Sequence, residues 1–252
     1  MKYIKELSVT ANEQLNEGCF LLKLKSDTAL PEIFAGQFVN IQAKNVADRI
    51  LRRPISIHDV DYSTNELSVV IQKVGKSTAE LSKVKVNGKL SVVYPLGNSF
   101  PLNEANPLLI GGGVGAAPLY YLARQYNAKG IKPHVLIGAR TEKQLFCTEK
   151  FKQVSHLHIS TQDGSCGEKG LVTENSVIKE EFSAFITCGP QVMMKALAQK
   201  AKEKNIKCYV SLENRMACGI GACLCCVCQT KSDGNQCVCS EGAVFDADNL
   251  IW

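Results

Sequence analysis

The segment LLIGGGVGAAPLYYLAR, residues 108–124, passes from an apolar stretch through four glycines into a helical pattern. The apolar stretch predicts a buried strand, and the glycines predict a tight turn that leads into a helix. Such a turn lets the pyrophosphate of a dinucleotide approach the backbone at the N-terminus of a helix. The spacing G-x-G-x-x-G is not strictly kept after Gly115, so a turn needed only for tight packing is the alternative interpretation.

Strands and helices alternate downstream of this turn. HVLIGAR (134–140), HLHIST (156–161) and AFITCGP (184–190) read as strands, and PQVMMKALAQKAKEK (190–204) reads as a helix with one apolar side. IKCYVSLE (206–213) is expected to close the sheet. This alternation predicts a parallel sheet with helices on both of its faces.

The first hundred residues show a different pattern, with short runs rich in β-branched residues between turn residues. Six runs of this kind are expected to be strands: KYIKELSVT (2–10), CFLLKLKS (19–26), QFVNIQA (37–43), PISIHDV (54–60), ELSVVIQKV (66–74) and KLSVVYP (89–95). One short helix is expected at about 77–84. Six short strands with turns between them predict a small closed antiparallel β-barrel.

Seven of the twelve cysteines lie in the last thirty-five residues. Cys218, Cys223 and Cys226 are spaced C-x4-C-x2-C, and Cys239 follows a hairpin-like stretch, which is the plant-type spacing of a [2Fe–2S] cluster. Glycines between the thiols allow a loop to turn sharply around such a cluster. A structural zinc site is the alternative, because Cys-x2-Cys pairs also bind zinc. Spacing leaves Cys237 open as the fourth ligand, and for all three extra thiols, Cys225, Cys228 and Cys237, a role as small buried apolar groups is an alternative interpretation.

Two further stretches are candidates for phosphate binding. In RRPIS (52–56), an arginine at a strand start can pair with a phosphate, and the serine can offer its hydroxyl to a ring nitrogen. In KVGKST (73–78), a loop that leads into a helix can hold a second phosphate. Cys188 lies at the C-terminal end of a predicted sheet strand, where ligands bind in such folds. A purely structural arginine and a buried thiol are the respective alternatives.

Composition excludes several classes of protein. The chain has 252 residues, 45% of them hydrophobic and 21% charged, as in an ordinary globular protein. Its net charge of +5 comes from scattered Lys and Arg, so no nucleic-acid footprint is indicated. The uncharged stretch 107–123 is too short and too rich in glycine for a good membrane span. With no secretory signal visible at the N-terminus, a cytoplasmic protein with reduced thiols is expected.

The order of barrel, glycine turn and cysteine tail resembles the ferredoxin–NADP reductase superfamily along the whole chain. More narrowly, the chain resembles the electron-transfer subunits of NAD-dependent (class 1B) dihydroorotate dehydrogenases. The motifs that carry the resemblance are RRPISI (52–57), GGGVGAAPLYYLA (111–123), TCGPQVMMKAL (187–197), SLENRMACGIGACLCCVC (211–228) and VCSEGAVF (238–245). Ser77 stands where the family often has glycine, and Ala243 stands where it often has proline.

The resemblance implies three units, which are an FAD-binding barrel (1–101), an NAD-binding α/β domain (102–212) and a [2Fe–2S] segment (213–252). It implies that FAD contacts Arg53, Pro54, Ile55, Ser56, Val70, Ile71, Gln72, Ser77 and Thr78. It places the nicotinamide nucleotide at Gly112, Gly113, Gly115 and Cys188. It assigns the cluster to Cys218, Cys223, Cys226 and Cys239, which favours Cys239 over Cys237.

The resemblance also implies a function in pyrimidine biosynthesis. Electrons would leave FMN on a catalytic dihydroorotate dehydrogenase subunit, pass through the cluster to FAD, and reach NAD⁺ as hydride. The expected assembly is a cytoplasmic heterotetramer with two copies of each chain, and no catalytic residue is assigned to this chain. A second possible function is that of a related reductase subunit in a hydrogenase or ferredoxin–NAD(P) system. A third is that of a zinc-stabilised binding module. Arg140 could pair with the 2′-phosphate of NADP or could be an ordinary surface charge, so the sequence does not decide between NAD and NADP.

Overall fold

The computed structural model describes residues 1–43 and 50–252. The first unit is a closed antiparallel barrel with strand order β1-β2-β5-β4-β3-β6, which confirms the predicted architecture. Its strands are β1 (Tyr3–Gln14), β2 (Cys19–Lys25), β3 (Phe38–Ile41), β4 (Arg53–Asp61), β5 (Glu66–Gln72) and β6 (Lys89–Leu96). Helix α1 (Lys76–Leu81) connects β5 to β6 and ends three residues before the predicted end.

The second unit is a seven-stranded sheet with order β10-β9-β8-β7-β11-β12-β15, in which β15 is the C-terminal strand Val244–Asp246. Its elements are β7 (Pro107–Gly112), α2 (Ala117–Ala128), β8 (His134–Ala139), α3 (Thr148–Val154), β9 (His156–Thr161), β10 (Glu168–Lys169), β11 (Ala184–Cys188), α4 (Gln191–Glu203) and β12 (Lys207–Ser211). Helix α3 and the two-residue strand β10 were not predicted from sequence. Strands β7 to β12 are parallel. Because the order reverses between β7 and β11, a ligand crevice is expected at the carboxyl ends of these two strands.

The sheet is covered on both faces. Leu109 of β7 packs into one hydrophobic core with α2 and the barrel interior, whereas its neighbours Leu108 and Ile110 pack into a second core with α4. The side chains of a strand alternate between faces, so a continuous apolar run supplies both cores. No helix within residues 1–43 and 50–252 is long and apolar enough to cross a membrane.

Helix α2 is the joint between the barrel and the sheet. His58 of β4 is buried, and its Nδ1 lies 2.8 Å from the carbonyl oxygen of Ala117, so Nδ1 carries the proton and donates it. Arg124 forms an ion pair with Asp59 on the same strand. Burial lowers the pKa of His58 to about 4, which keeps the imidazole neutral at neutral pH. The barrel is therefore held to α2 by a buried polar contact as well as by apolar packing.

The C-terminal segment joins both units. Strands β13 (Val227–Thr230) and β14 (Gly234–Cys237) form a hairpin, and β15 (Val244–Asp246) pairs antiparallel with β12. The sheet is thus closed by β15 and not, as expected from sequence, by residues 206–213. Asn98, at the exit of the barrel, donates to the carbonyl of Val244 at 2.7 Å and accepts from its N–H at 2.8 Å. This pairing fixes the segment against the barrel.

Candidate functional site

A cavity of about 1450 Å³ lies between the barrel, the glycine turn and the C-terminal segment. Eleven of the thirteen residues predicted to contact FAD or the nicotinamide nucleotide line it. They are Arg53, Pro54, Ile55, Ser56, Val70, Gln72, Thr78, Gly112, Gly113, Gly115 and Cys188. The remaining two, Ile71 and Ser77, are buried away from the wall, and Ile71 packs into the barrel core. Ile71 lies between two lining residues because side chains alternate along β5.

The two arginines at the start of β4 differ in role: Arg52 holds the barrel together, and Arg53 lines the cavity. Arg52 donates to the carbonyl of Ser91 at 2.8 Å and to its hydroxyl at 2.9 Å, which ties it to β6, the strand on the far side of β3. Arg53, in contrast, lines the cavity and is half-buried. A guanidinium at the wall of a cavity is suited to pair with an anionic group such as a phosphate.

The loop before α1 is organised by Thr78. Its hydroxyl oxygen accepts the backbone N–H of Val74 at 3.0 Å and that of Gly75 at 3.2 Å, and its proton is donated to the carbonyl of Gly75 at 3.1 Å. The hydroxyl of Thr78 is therefore engaged by the chain itself. Its contribution to the cavity is to shape the loop at residues 73–78.

The glycines of the turn serve distinct purposes. A Cβ on Gly115 would lie 2.3 Å from the carbonyl oxygen of Cys188, so the close approach of this turn to the end of β11 requires glycine. Gly113 has a φ of +56° and open space around its Cα, so its requirement is conformational. The packing interpretation accounts for Gly115, which together with Gly112 and Gly113 also forms part of the cavity wall.

Cys188 lies at the crevice between β7 and β11, opposite Gly111 in register. Burial, with a smaller contribution from the carboxylate of Glu213, raises the pKa of the Cys188 thiol to about 12. The group is therefore a neutral thiol at neutral pH, and it is not poised as a nucleophile. Glu213 also lines the cavity, so both residues adjoin any ligand bound there.

The cavity wall also contains residues outside the set predicted to contact FAD or the nicotinamide nucleotide. Arg140, which the sequence left open as a contact for a 2′-phosphate, and Gln144 both follow β8 and line the cavity. Trp252 lines the wall next to α4, with the Nζ of Lys195 5.7 Å from the centre of its ring. Val227 and Cys228 of β13 line the wall beside the cysteine loop. The only sequence signal for these two residues was that they directly follow Cys226, a predicted cluster ligand.

The four predicted cluster ligands are linked through backbone N–H groups. The N–H of Cys223 points at the Sγ of Cys218 at 3.4 Å, and the N–H of Cys218 points at the Sγ of Cys223 at 3.5 Å. The N–H of Cys239 points at the Sγ of Cys226 at 3.4 Å, and the N–H of Gly221 points at the Sγ of Cys239 at 3.1 Å. Each pair is thus linked within itself, and Gly221 of the loop contacts Cys239 of the other pair.

The conformation of the loop and its electrostatics suit thiolate ligands. Gly219 and Gly221 have φ angles of +71° and +89°, which an L side chain rarely adopts. The N–H of Ile220 lies 3.4 Å from the Sγ of Cys218, and this contact is the main reason that the pKa of Cys218 falls to about 6. Amide donors that surround sulfur stabilise the negative charge that a thiolate-ligated iron–sulfur cluster carries. The chemistry of these donors therefore fits a cluster.

One side of the cysteine loop is buried, and the other side is exposed. Cys226 and Cys239 are buried, whereas Cys223 is exposed and Ile220 and Leu224 are 51% and 66% exposed. The buried side of the loop adjoins the cavity through Val227 and Cys228. An electron carrier held by this loop would adjoin the cavity on one side and the protein surface on the other.

Comparisons with known proteins give two family matches within the chain. Residues 213–251 match the iron–sulfur cluster binding domain of dihydroorotate dehydrogenase B. Residues 109–199 match the oxidoreductase NAD-binding domain. The matched ranges coincide with the cysteine segment and with the greater part of the sheet that contains the glycine turn.

Full-length relatives and solved structures agree with these matches. The dihydroorotate dehydrogenase B (NAD(+)) electron transfer subunit of Fusobacterium nucleatum is 36% identical over 260 residues, covering 98% of each chain. The same subunit of Bacillus velezensis is 37% identical, covering 97% of each. A solved structure of an NADH-dependent reduced ferredoxin–NADP oxidoreductase superposes with a TM-score of 0.88 at 30% identity, covering 98% of this chain and 90% of that one. This chain belongs to the family of dihydroorotate dehydrogenase B (NAD(+)) electron transfer subunits.

Proposed function

We propose that this chain carries electrons between a catalytic dihydroorotate dehydrogenase subunit and NAD⁺, through a [2Fe–2S] cluster and FAD. The observation that supports this most directly is the shared wall of the cavity. Arg53 of the barrel, Gly113 of the nucleotide turn and Val227 beside the cysteine loop all line one space. A flavin, a nicotinamide nucleotide and a cluster bound at these three places would be neighbours. The family matches independently place an NAD-binding domain and an iron–sulfur domain in one chain.

The barrel and the nucleotide turn are proposed to bind and orient the two organic cofactors. Arg53 supplies positive charge for the pyrophosphate of FAD, and Pro54 to Ser56 border its ring system. Gly112, Gly113 and Gly115 allow the nicotinamide nucleotide to approach the backbone before α2. Bound FAD supplies the exchange between hydride and single electrons. The neutral thiol of Cys188 and the carboxylate of Glu213 border the position where the nicotinamide is expected.

The cluster is proposed to be held by Cys218, Cys223, Cys226 and Cys239. Support comes from the mutual N–H contacts of Cys218 and Cys223, from the N–H of Cys239 that points at the Sγ of Cys226, and from the plant-type spacing. Cys239 is preferred to Cys237 because its sulfur accepts the N–H of Gly221 from within the loop. Zinc is set aside, because the matched domain is one that binds an iron–sulfur cluster.

The assembly is proposed to contain two copies of this chain and two of the catalytic subunit, and to reside in the cytoplasm. The chain is proposed to consist of three units, with boundaries at 101/102 and 212/213. The twelve cysteines, all free thiols in the described structure, suit a reducing compartment. NAD is preferred to NADP, as in the names of the relatives.

Reconstitution tests the function. The FAD-loaded and cluster-loaded chain should oxidise NADH with an artificial acceptor, but it should not oxidise dihydroorotate without a partner. Adding a catalytic dihydroorotate dehydrogenase subunit should produce NADH from dihydroorotate and NAD⁺, followed by the absorbance of NADH. If the chain couples instead to reduced ferredoxin, the alternative suggested by the ferredoxin–NADP oxidoreductase structure is correct and the proposed partner is wrong.

The arginine pair allows a matched test of the flavin site. Arg53→Ala should weaken FAD binding roughly ten- to more than a hundredfold, because a charge-assisted hydrogen bond contributes about 1.5–3 kcal/mol. Arg52→Ala is the control, since Arg52 is bound to Ser91 and its loss should affect barrel stability more than flavin affinity. The affinity is read from flavin fluorescence during titration of the apoprotein. Equal flavin affinity in both variants would show that the pyrophosphate is bound elsewhere.

A further inference from the structure

Asn40 of β3 lies on the outer face of the barrel, toward the cysteine loop. Its neighbours Val39 and Ile41 pack into the barrel core, whereas Phe38 packs into the second core together with Cys226 and Cys239. Because side chains alternate along a strand, Asn40 shares the outward face with Phe38. In register, Asn40 pairs with Pro54 of β4, which lines the proposed flavin site. Asn40 is therefore placed between the flavin strand and the cluster loop.

The side-chain amide of Asn40 is fully buried, and neither its nitrogen nor its oxygen has a hydrogen-bond partner among the described residues. Buried polar groups are nearly always paired, because leaving one unpaired is costly. An amide at this depth with no partner within residues 1–43 and 50–252 points to a partner such as a bound group.

The amide is directed at the cluster loop. A Cβ on Gly219 would lie 2.4 Å from the Nδ2 of Asn40, so the loop approaches this amide as closely as glycine permits. Gly219 directly follows Cys218, whose sulfur already accepts N–H groups from Ile220 and Cys223. Asn40 therefore approaches, from the barrel side, a region where sulfur atoms are surrounded by amide donors.

We propose that Asn40 is a positioning residue that donates its side-chain N–H to a sulfur of the bound [2Fe–2S] cluster and raises the reduction potential of the cluster. The inference rests on the proposed cluster site and adds a contact from the barrel to it. Reduction adds one negative charge to the cluster, and hydrogen bonds to the sulfurs favour the more negative state. The same contact ties the flavin-binding barrel to the cluster loop.

The test is an EPR-monitored redox titration of the full chain loaded with FAD and iron. Asn40→Leu, which has a similar size and no donor, should lower the ratio of reduced to oxidised cluster about tenfold at a fixed solution potential, equal to a shift of about 59 mV for one electron. Asn12→Leu is the matched control, since its amide bonds to the carbonyls of Ser82 and Val84 at 3.1 and 2.8 Å on another part of the barrel. The control should leave the cluster potential unchanged.

The outcomes separate this inference from the cluster assignment itself. A wild-type chain without a [2Fe–2S] signal would contradict the cluster assignment. A wild-type potential in Asn40→Leu would contradict only the role of Asn40. If the Asn40→Leu variant does not retain iron, the titration is done on Asn40→Ala, which only removes atoms. The expected shift in the reduction potential of the cluster is the same. Loss of iron in both variants would make Asn40 a structural residue and overturn the proposal.

Discussion

Replacing Cys239 with serine is expected to abolish the iron–sulfur signal, whereas the same change at Cys237 should leave it intact. A missing thiolate leaves one coordination position of the cluster unfilled. The Sγ of Cys239 accepts the N–H of Gly221 at 3.1 Å, and its own N–H points at the Sγ of Cys226. Cys237, two residues earlier, ends the strand β14. Iron content per chain and the visible absorption of anaerobically purified protein give the readout.

The remaining cysteines of the segment provide the controls. Serine at Cys218, Cys223 or Cys226 should have the same effect as serine at Cys239. Serine at the exposed Cys225 should have none, and serine at Cys228, which lines the cavity, should retain iron. Retention of iron in the Cys239 variant together with loss in the Cys237 variant would reverse the assignment of the fourth ligand.

Removing the cluster while FAD is retained should separate two activities of the complex. The rate of NAD⁺ reduction by dihydroorotate in the reconstituted complex should fall to near zero, because the proposed path between the subunits passes through the cysteine loop. The rate of NADH oxidation by an artificial acceptor should largely persist, because the nucleotide turn and β4 adjoin each other without the loop. Both rates are measured on one preparation of the Cys218→Ser chain with its FAD content determined.

Either of two results would contradict this order of transfer. If both rates fall together while FAD remains bound, the cluster segment is required for the geometry of the flavin site. The pairing of Asn98 with Val244, which joins the segment to the barrel, would then be the structural cause to examine. If the coupled rate survives without the cluster, electrons reach FAD by another path.

Much of the fold could be predicted from the sequence because its signals are local. The alternation of β-branched residues in the first hundred positions predicts the barrel strands, and the glycine turn before α2 predicts the start of the sheet. Helix α3 and strand β10 were missed because they are short, with seven and two residues, and carry little periodicity. The edge strand β15 was missed because three residues, Val244–Asp246, become a strand only through pairing with β12.

Eleven of the thirteen residues predicted from the sequence to contact a cofactor line the cavity, but the sequence did not decide which of their neighbours face it. Alternation along β5 explains why Ile71 packs into the barrel core while its neighbours line the cavity. Which of two adjacent arginines faces the cavity depends on Ser91, which is distant in sequence and adjacent only in the barrel. Spacing alone could not choose between Cys237 and Cys239, because Cys237 ends the hairpin and Cys239 lies only two residues beyond it.

The sequence by itself determined the order of the three units, the glycine turn and the cysteine spacing, since each depends on residues close together along the chain. Only the tertiary structure brought together groups from distant segments. His134 and His158 lie on neighbouring strands with their ring nitrogens 3.0 Å apart, although the chain separates them by 24 residues. Asn40 and Gly219 come into contact only because the C-terminal segment folds back over the barrel. Contacts of this kind arise from strand pairing and from the packing of one element on another, and no local propensity encodes them.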